Sequence, residues 1–310
     1  MPTIRTNSRY THAEPVVVPD VFHFKELPKR QFALRNRRQE LVQVKSGWYL
    51  DKADLPTDRY ERYAAVHLAK IYTHGNTLPQ GVLISHFSAG VLLGFPLIQE
   101  VAKVEVANFR KTQFSRAGVR VYSRPEDNPW LVIRDAVRAT SYEITAVEMM
   151  RQLSPADALV IADFAVRIGC PLEELQTFNL ELKMPRMRTQ TERILALADP
   201  GAESPQESRL RYRVLSAGLG KVTTQHQIRT DRGVFYLDIA IAELKIAIEY
   251  DGESKYFDSN DLIREKLRED AIRAQGWEFI RVTKADLRNS SQLVRKMKES
   301  AMRRGWRQTQ

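Results

Sequence analysis

The segment from Val234 to Gly252, VFYLDIAIAELKIAIEYDG, constrains this chain more than any other. It sets three carboxylates, Asp238, Glu249 and Asp251, into two runs that are otherwise apolar. Phe235, Leu237, Ile239 and Ile241 alternate with Tyr236, Asp238 and Ala240, a period of two that predicts a strand with bulky side chains on one face and Asp238 on the other. Leu244, Ile246, Ile248 and Tyr250 alternate likewise with Lys245, Ala247, Glu249 and Asp251, and Ala242-Glu243 is short enough to turn a hairpin. Paired, the strands carry their acids on a face lined by alanine. Two readings are open there: acids on the wet face of an antiparallel hairpin, or oxygen ligands for a hard divalent cation such as Mg²⁺ or Mn²⁺, which would relieve the repulsion between neighbouring carboxylates.

A chain of 310 residues has room for two or three domains with real cores. No apolar run is long enough to span a bilayer, and the polar start MPTIRTNSRYTHAEP lacks the apolar segment of a signal peptide, so the expectation is a cytoplasmic protein with no membrane partner. The single cysteine, Cys170, cannot form an intrachain disulfide, and without a CxxC or HExxH pattern zinc is not expected. Lys and Arg number 48 against 38 acids, a net charge of +10 that points to a polyanionic partner.

Near the N-terminus, Lys29, Arg30, Arg35, Arg37 and Arg38 crowd a predicted helix, and Leu41 to Val44 leads through Lys45-Ser46-Gly47 into Trp48-Tyr49-Leu50. A basic helix followed by a glycine-turned hairpin is how a winged helix ends, with the helix in the major groove and the wing on the backbone. This region is similar to the N-terminal domain of AbiEi-type antitoxins and transcriptional regulators. That resemblance implies DNA contact through Arg30, Arg35, Arg37, Arg38 and Lys45. It continues into Ile84-Ser85-His86-Phe87-Ser88-Ala89 and Gly94-Phe95-Pro96, where Ser85 is expected to cap a helix and His86 to have a structural role. Residues 101–124 alternate as two strands and Val132 to Val137 predicts one more. Thr145 with Glu148 reads as a capping box, and Ser154-Pro155 opens a further helix.

In the last third, Glu207-Ser208, Leu210-Arg211, Gln227, Asp238, Glu249-Tyr250-Asp251-Gly252, Arg268-Glu269-Asp270, Gly276-Trp277 and Arg281-Val282 follow one another in an order and spacing that resembles bacterial endonuclease-like domains. These are related to the very-short-patch repair (Vsr) endonuclease of the PD-(D/E)XK superfamily. The resemblance implies a mixed sheet flanked by helices, Asp238 and Glu249 as ligands of Mg²⁺ or Mn²⁺, and a supporting role for Asp251, which completes the metal shell, and for Glu207; Gln227 is expected to contact DNA phosphate. The lysine often found two positions after the second acid is Asp251 here, and Lys255 on the following turn is the cation expected to take its place.

The expected fold class is therefore α+β and multi-domain. It comprises a winged-helix-like region over residues 1–80, an α/β middle domain over 81–183, a linker over 184–206 and a nuclease-like domain over 207–310. Two functions follow: a DNA-binding protein whose C-terminal domain hydrolyses phosphodiester bonds with a metal ion, or an AbiEi-like regulator or antitoxin whose nuclease fold does not turn over. A third, a toxin-antitoxin partner acting through protein contacts, predicts little DNA affinity despite the charge.

Overall fold

The computed structural model describes residues 18–110, 112–124, 131–182, 187–251 and 259–307, the side chains of 259–262 excepted. In chain order its elements are β1 (Phe22–His23), α1 (Lys29–Arg37), β2 (Leu41–Lys45), β3 (Trp48–Asp51), α2 (Arg59–Gly75), β4 (Val82–Ile84), α3 (His86–Leu93), β5 (Val104–Asn108), β6 (Val119–Ser123), β7 (Leu131–Arg134), β8 (Val137–Thr140), α4 (Tyr142–Met150), α5 (Pro155–Arg167), α6 (Leu172–Glu181) and α7 (Arg188–Leu195). They continue with α8 (Pro205–Ala217), β9 (Thr223–Thr230), β10 (Gly233–Ile241), β11 (Ile246–Tyr250), α9 (Ser259–Ala274), β12 (Glu278–Val282), α10 (Lys284–Arg288) and α11 (Ser290–Arg303). Among the described residues these form three sheets in an α+β chain. The chain divides into two compact units, one of Met1–Gln152 with Ile168–Leu195 and one of Leu153–Arg167 with Ala196–Gln310.

The first unit begins with a small antiparallel sheet in the order β1-β3-β2, with α1 inserted between β1 and β2. Its hairpin turns at Gly47, whose φ of +81° favours glycine and where any Cβ would lie 2.8 Å from Nε2 of His23. α1 buries no residue completely; Phe32 reaches back to Tyr49 with ring centroids 5.1 Å apart, and Arg35 ion-pairs with Asp51 and Glu40. The sheet packs Val44 and Leu50 on Ala69 of α2.

A five-stranded sheet in the order β6-β5-β4-β8-β7 follows, parallel at β5/β6 and β4/β8 and otherwise antiparallel. The single strand expected over Val132 to Val137 is instead a hairpin, because Asp135 and Ala136 take left-handed φ values of 47° and 64° and reverse the chain. The cap of α3 also differs from expectation. The Ser85 side chain makes no capping bond; Glu148 accepts from the His86 amide at 2.9 Å and Glu105 from the Phe87 amide at 3.0 Å. Carboxylates from α4 and β5 thus satisfy the exposed amides and the positive end of the helix dipole. Glu148 is in turn paired with Arg124 at 2.6 Å, and α4 is capped by Ser141, so Thr145 and Glu148 form no capping box.

In the second unit the sheet order is β12-β11-β10-β9, an antiparallel meander with β12 added parallel to β11. One face packs Ile246, Ile248, Ile280 and Val282 against Leu210 and Val214 of α8 and Leu293 and Met297 of α11. The other packs Ala240, Ala247 and Phe279 against Ile272 of α9 and Trp277. α5 lies on α8, joined by a buried pair between Asp163 and Arg211, whose Nη2 also donates to the Leu197 carbonyl at 2.7 Å. Burial pushes the Asp163 carboxyl up, and the Arg211 guanidinium acts against that shift.

Three histidines of the first unit are buried and held neutral. Desolvation, with Lys70 nearby, pulls His67 down to about 3; desolvation, with Lys45, Arg116 and Lys70, pulls His74 down to about 4; and burial beside Arg124 and Arg120 holds His86 well below its ordinary value. His67 bonds Ser88 at 2.9 Å, and His86 stacks on Tyr122. A basic group whose folded pKa is depressed contributes stability that is complete above its unfolded pKa and is lost as pH falls. The melting temperature is therefore expected to drop as pH is lowered from about 7 to about 5, the range in which unfolded histidine charges. His67→Gln, which cannot titrate, should shallow that slope; a pH-independent melting temperature would refute the neutral assignment.

Candidate functional site

Both faces of the second unit's sheet are covered, so β10 cannot keep the single apolar face that its alternation predicts. Phe235 and Leu237 pack on the α9 side with Ala240, whereas Ile239 and Ile241 pack on the α8 and α11 side. The alternation breaks at Asp238. Opposite it on β9 the register passes through Gln225, whose φ of 45° interrupts the ladder between the pairs Leu237/His226 and Ile239/Thr224. The turn between β10 and β11 is also longer than the sequence suggests: Ala242–Leu244 forms a single 3-10 turn closed by Lys245 in the left-handed region, so Leu244 precedes the strand.

β10 and β11 pair through Ile239/Ile248, Ala240/Ala247 and Ile241/Ile246, and the ladder ends there, short of Asp238 and Glu249. Glu249 is 3% exposed, which removes it from any wet face. One of its oxygens accepts from Nη2 of Arg268 at 2.7 Å, and the other forms an ion pair with Nη1 of Arg281 at 2.7 Å. Arg281 comes from β12, whose parallel register places it directly beside Glu249. Arg268 comes from α9, and its Nη2 also donates to the Tyr236 carbonyl at 2.7 Å.

The two guanidiniums are themselves shared. Glu265 meets Arg268 at 3.0 Å and Arg281 at 2.5 Å, and Glu269 meets Arg281 at 3.1 Å and Arg273 at 2.6 Å. Burial lowers the pKa of Arg268 and Arg281, but hydrogen bonds and charge from Glu249 and Glu265 outweigh it and raise both, with Glu269 adding to the effect on Arg281. Desolvation raises Glu269, and hydrogen bonds from Arg273 and Arg281 more than reverse it, leaving that carboxyl below its ordinary value.

The remaining expected site residues are dispersed. Glu207 is absorbed at the start of α8, bonded to the Ser204 hydroxyl at 2.7 Å and accepting from the Glu203 amide at 2.8 Å. Asp251, half-buried just after β11, donates its amide to the Val282 carbonyl at 2.9 Å. Gln227 is exposed on β9, paired with Tyr236. Lys255 lies outside the described residues. In the first unit Arg35 is held by Asp51 and Glu40, and Lys45 donates to the Thr73 carbonyl at 3.0 Å, so both serve the fold. Arg30, Arg37 and Arg38 are exposed, Arg38 within 3.8 Å of Glu40.

This donor set does not fit a hard divalent ion as arranged. No group of three or more His, Cys, Asp or Glu side chains that could hold a metal forms among the described residues. A doubly charged ion bonded to a Glu249 oxygen would lie roughly 4 Å from a guanidinium, where repulsion is about 8 kcal/mol at an effective dielectric of about 20. The Arg268, Glu265 and Glu269 partners are the part that strand periodicity missed. Their helical spacing, with Glu265, Arg268 and Glu269 at i, i+3 and i+4, marks one charged face. Glu249→Gln removes the charge at the centre of this network and is expected to cost roughly 3 kcal/mol in urea unfolding, the lower end for a broken buried pair because the arginines are partly solvated. A loss below about 0.5 kcal/mol, the scatter of surface substitutions, would show that the pairs contribute nothing.

No family model matches the chain. Over 152 residues it is 29% identical to two Mycobacterium tuberculosis proteins, uncharacterized protein MT2308 of strain CDC 1551 / Oshkosh and uncharacterized protein Rv2248 of strain ATCC 25618 / H37Rv. The matched stretch is 48% of this chain and 56% of each relative, so the chain spans little more than half the length of the curated relatives it matches. Among solved structures, the RV2827C protein of Mycobacterium tuberculosis is similar at 16% identity and a TM-score of 0.35, covering 62% of this chain and 76% of that one, a likeness too slight to carry structure or function across.

Proposed function

We propose that this protein is a duplex-DNA-binding regulator that reads DNA through α1, and that its nuclease-like C-terminal sheet serves without turnover. The observation that carries the reading is α1 itself. Its sequence KRQFALRNR contains no acidic residue, and Lys29, Arg30 and Arg37 are exposed and form no ion pair among the described residues. Arg30, Ala33, Leu34 and Arg37 follow i, i+3, i+4, i+7 spacing and are all exposed, so one face of the helix offers cations flanking a short apolar strip. Leu34 is 48% exposed. A helix of nine residues is about 13 Å long and suits a major groove about 12 Å wide, where Arg reads guanine and an apolar side chain meets the thymine methyl.

The neighbouring elements support the same reading. α1 sits between β1 and β2 with sheet order β1-β3-β2, the arrangement of a recognition helix followed by a wing, and the ion pair of Arg35 with Asp51 fixes the helix to the wing. A net charge of +10 supplies long-range attraction for a phosphate backbone. A metal-dependent nuclease is the second reading, favoured by the presence of Asp238 on β10 and Glu249 on its neighbour β11. It requires Arg268 and Arg281 to let go of Glu249.

Fluorescence anisotropy of a labelled duplex across a salt series tests the first reading. Replacing both Arg30 and Arg37 with Ala is expected to weaken binding at least tenfold and, where both contact phosphate, to reduce the salt slope by about 2. Arg35→Ala should lower the melting temperature as well as affinity. Unchanged affinity in the double variant would remove α1 from the interface and with it the proposal.

A further inference from the structure

We infer that the acidic centre on β10 and β11 is a self-neutralised ion-pair network closed to divalent cations, in which Arg268 and Arg281 take the place that a metal ion would have to occupy. The inference does not depend on DNA binding by α1 and stands on four features of the second unit. First, both oxygens of Glu249 are engaged, one by each guanidinium at 2.7 Å, and Nη1 of Arg268 lies a further 3.4 Å from the second oxygen. A hard cation needs oxygen lone pairs at about 2.0–2.1 Å for Mg²⁺, and it would have to approach each oxygen beside a guanidinium already in contact with it.

Second, the charges within the network balance. Glu249, Glu265 and Glu269 face Arg268, Arg273 and Arg281, each pair linked at 3.1 Å or less. A site that attracts a divalent ion holds an excess of negative charge. Around Glu249 the negative charge is matched, three carboxylates to three guanidiniums, by side chains that cannot lose their protons; Asp238 lies outside that count.

Third, the arginines are anchored from directions other than Glu249. Arg268 holds the Tyr236 carbonyl, and Arg281 is fixed by its place on β12 and lies over the Phe279 ring with its guanidinium carbon 5.3 Å from the centroid. Arg273 lies over the same ring, also at 5.3 Å. Swinging either partner of Glu249 aside to admit an ion would break contacts with β10, α9 and Phe279 as well as the carboxylate pair.

Fourth, among the described residues no group of three or more acids or histidines that could hold a metal forms, and Glu207 is bonded into the start of α8. The chemistry left to the centre is mechanical: it ties α9 and β12 to β11 through one buried carboxylate.

Mn²⁺ alone is the probe, titrated into the full chain and followed by the electron paramagnetic resonance of the free ion, with the melting temperature measured in parallel in Mg²⁺. The expected result is no saturable uptake below about 1 mM and no rise in melting temperature, because an ion that binds only the folded state must stabilise it. Uptake that survives unchanged in Asp238→Asn and Asp251→Asn places any ion elsewhere and also supports the inference. Saturable uptake in the natural sequence that falls at least tenfold in affinity in Asp238→Asn, with circular dichroism unchanged, overturns it. DNA binding is read separately by anisotropy, so failure here leaves the α1 proposal intact, and the reverse.

Discussion

A carboxylate in the middle of a covered sheet is the constraint around which the second unit is arranged. Glu249 sits on β11 between Ile248 and Tyr250 with helices on both faces of the sheet, a position where an isolated charge would cost several kcal/mol and would sooner take up a proton than remain ionised. Two arginines make the charge tolerable, and both come from elements that follow it in sequence: α9 and β12. Removing the acid would leave two guanidiniums to repel each other, and removing either arginine would leave the acid undercompensated. The pairing is therefore a condition on the docking of α9 and on the register of β12, since a shift of β12 by one residue would turn Arg281 to the opposite face.

The same device recurs in each unit. Glu148 on α4 reaches the amino end of α3 and is met by Arg124 just after β6, and Asp163 on α5 is met by Arg211 on α8. In all three cases a buried acid and a buried or half-buried arginine from a distant part of the chain join a helix to another element. Such pairs add little net stability compared with apolar substitutes, because desolvation offsets most of the attraction. Their effect is on uniqueness: an alternative packing would strand a charge. Arg124 shows the cost, since its Nε and Nη1 are buried without hydrogen-bond partners.

The elements of the fold were far more legible in the sequence than the environment of its charges. Period-two alternation located β10, β11 and the acids on them, and Pro205 after Ser204 located the start of α8, because these signals depend on nearest neighbours. The switch of faces at Asp238 was not legible. It depends on helices covering both sides of the sheet and on Gln225 taking a left-handed conformation on another strand. Arg35 and Arg37 illustrate the same limit. Two residues apart on one helix, they look alike as charges, yet Asp51, sixteen positions from Arg35, claims one of them and leaves the other in solvent. Ser85 resembled an ordinary helix cap, and only the arrival of Glu148 from 62 residues away showed which group does the capping.

These long-range pairings bear on readings that residue types alone leave open. An Asp and a Glu on paired strands are compatible with metal-assisted hydrolysis, because a cation bound between them could generate a nucleophile and stabilise the charge developing on phosphate. The same two acids are equally compatible with a structural centre, and what separates the alternatives is the occupant of the space between and around their oxygens. In this chain that space is bounded by Arg268 and Arg281, whose pKa values are raised by the carboxylates they touch, so neither will give up its charge to make room. On α1 the logic runs the other way. There the acids that neutralise arginines elsewhere are missing from the helix, and positive charge that finds no internal partner is left facing outward. A single rule, that a fold neutralises the charges it buries and leaves bare those it exposes, separates Arg268 and Arg281 of the second unit from Arg30 and Arg37 of α1, the arginines proposed to meet DNA.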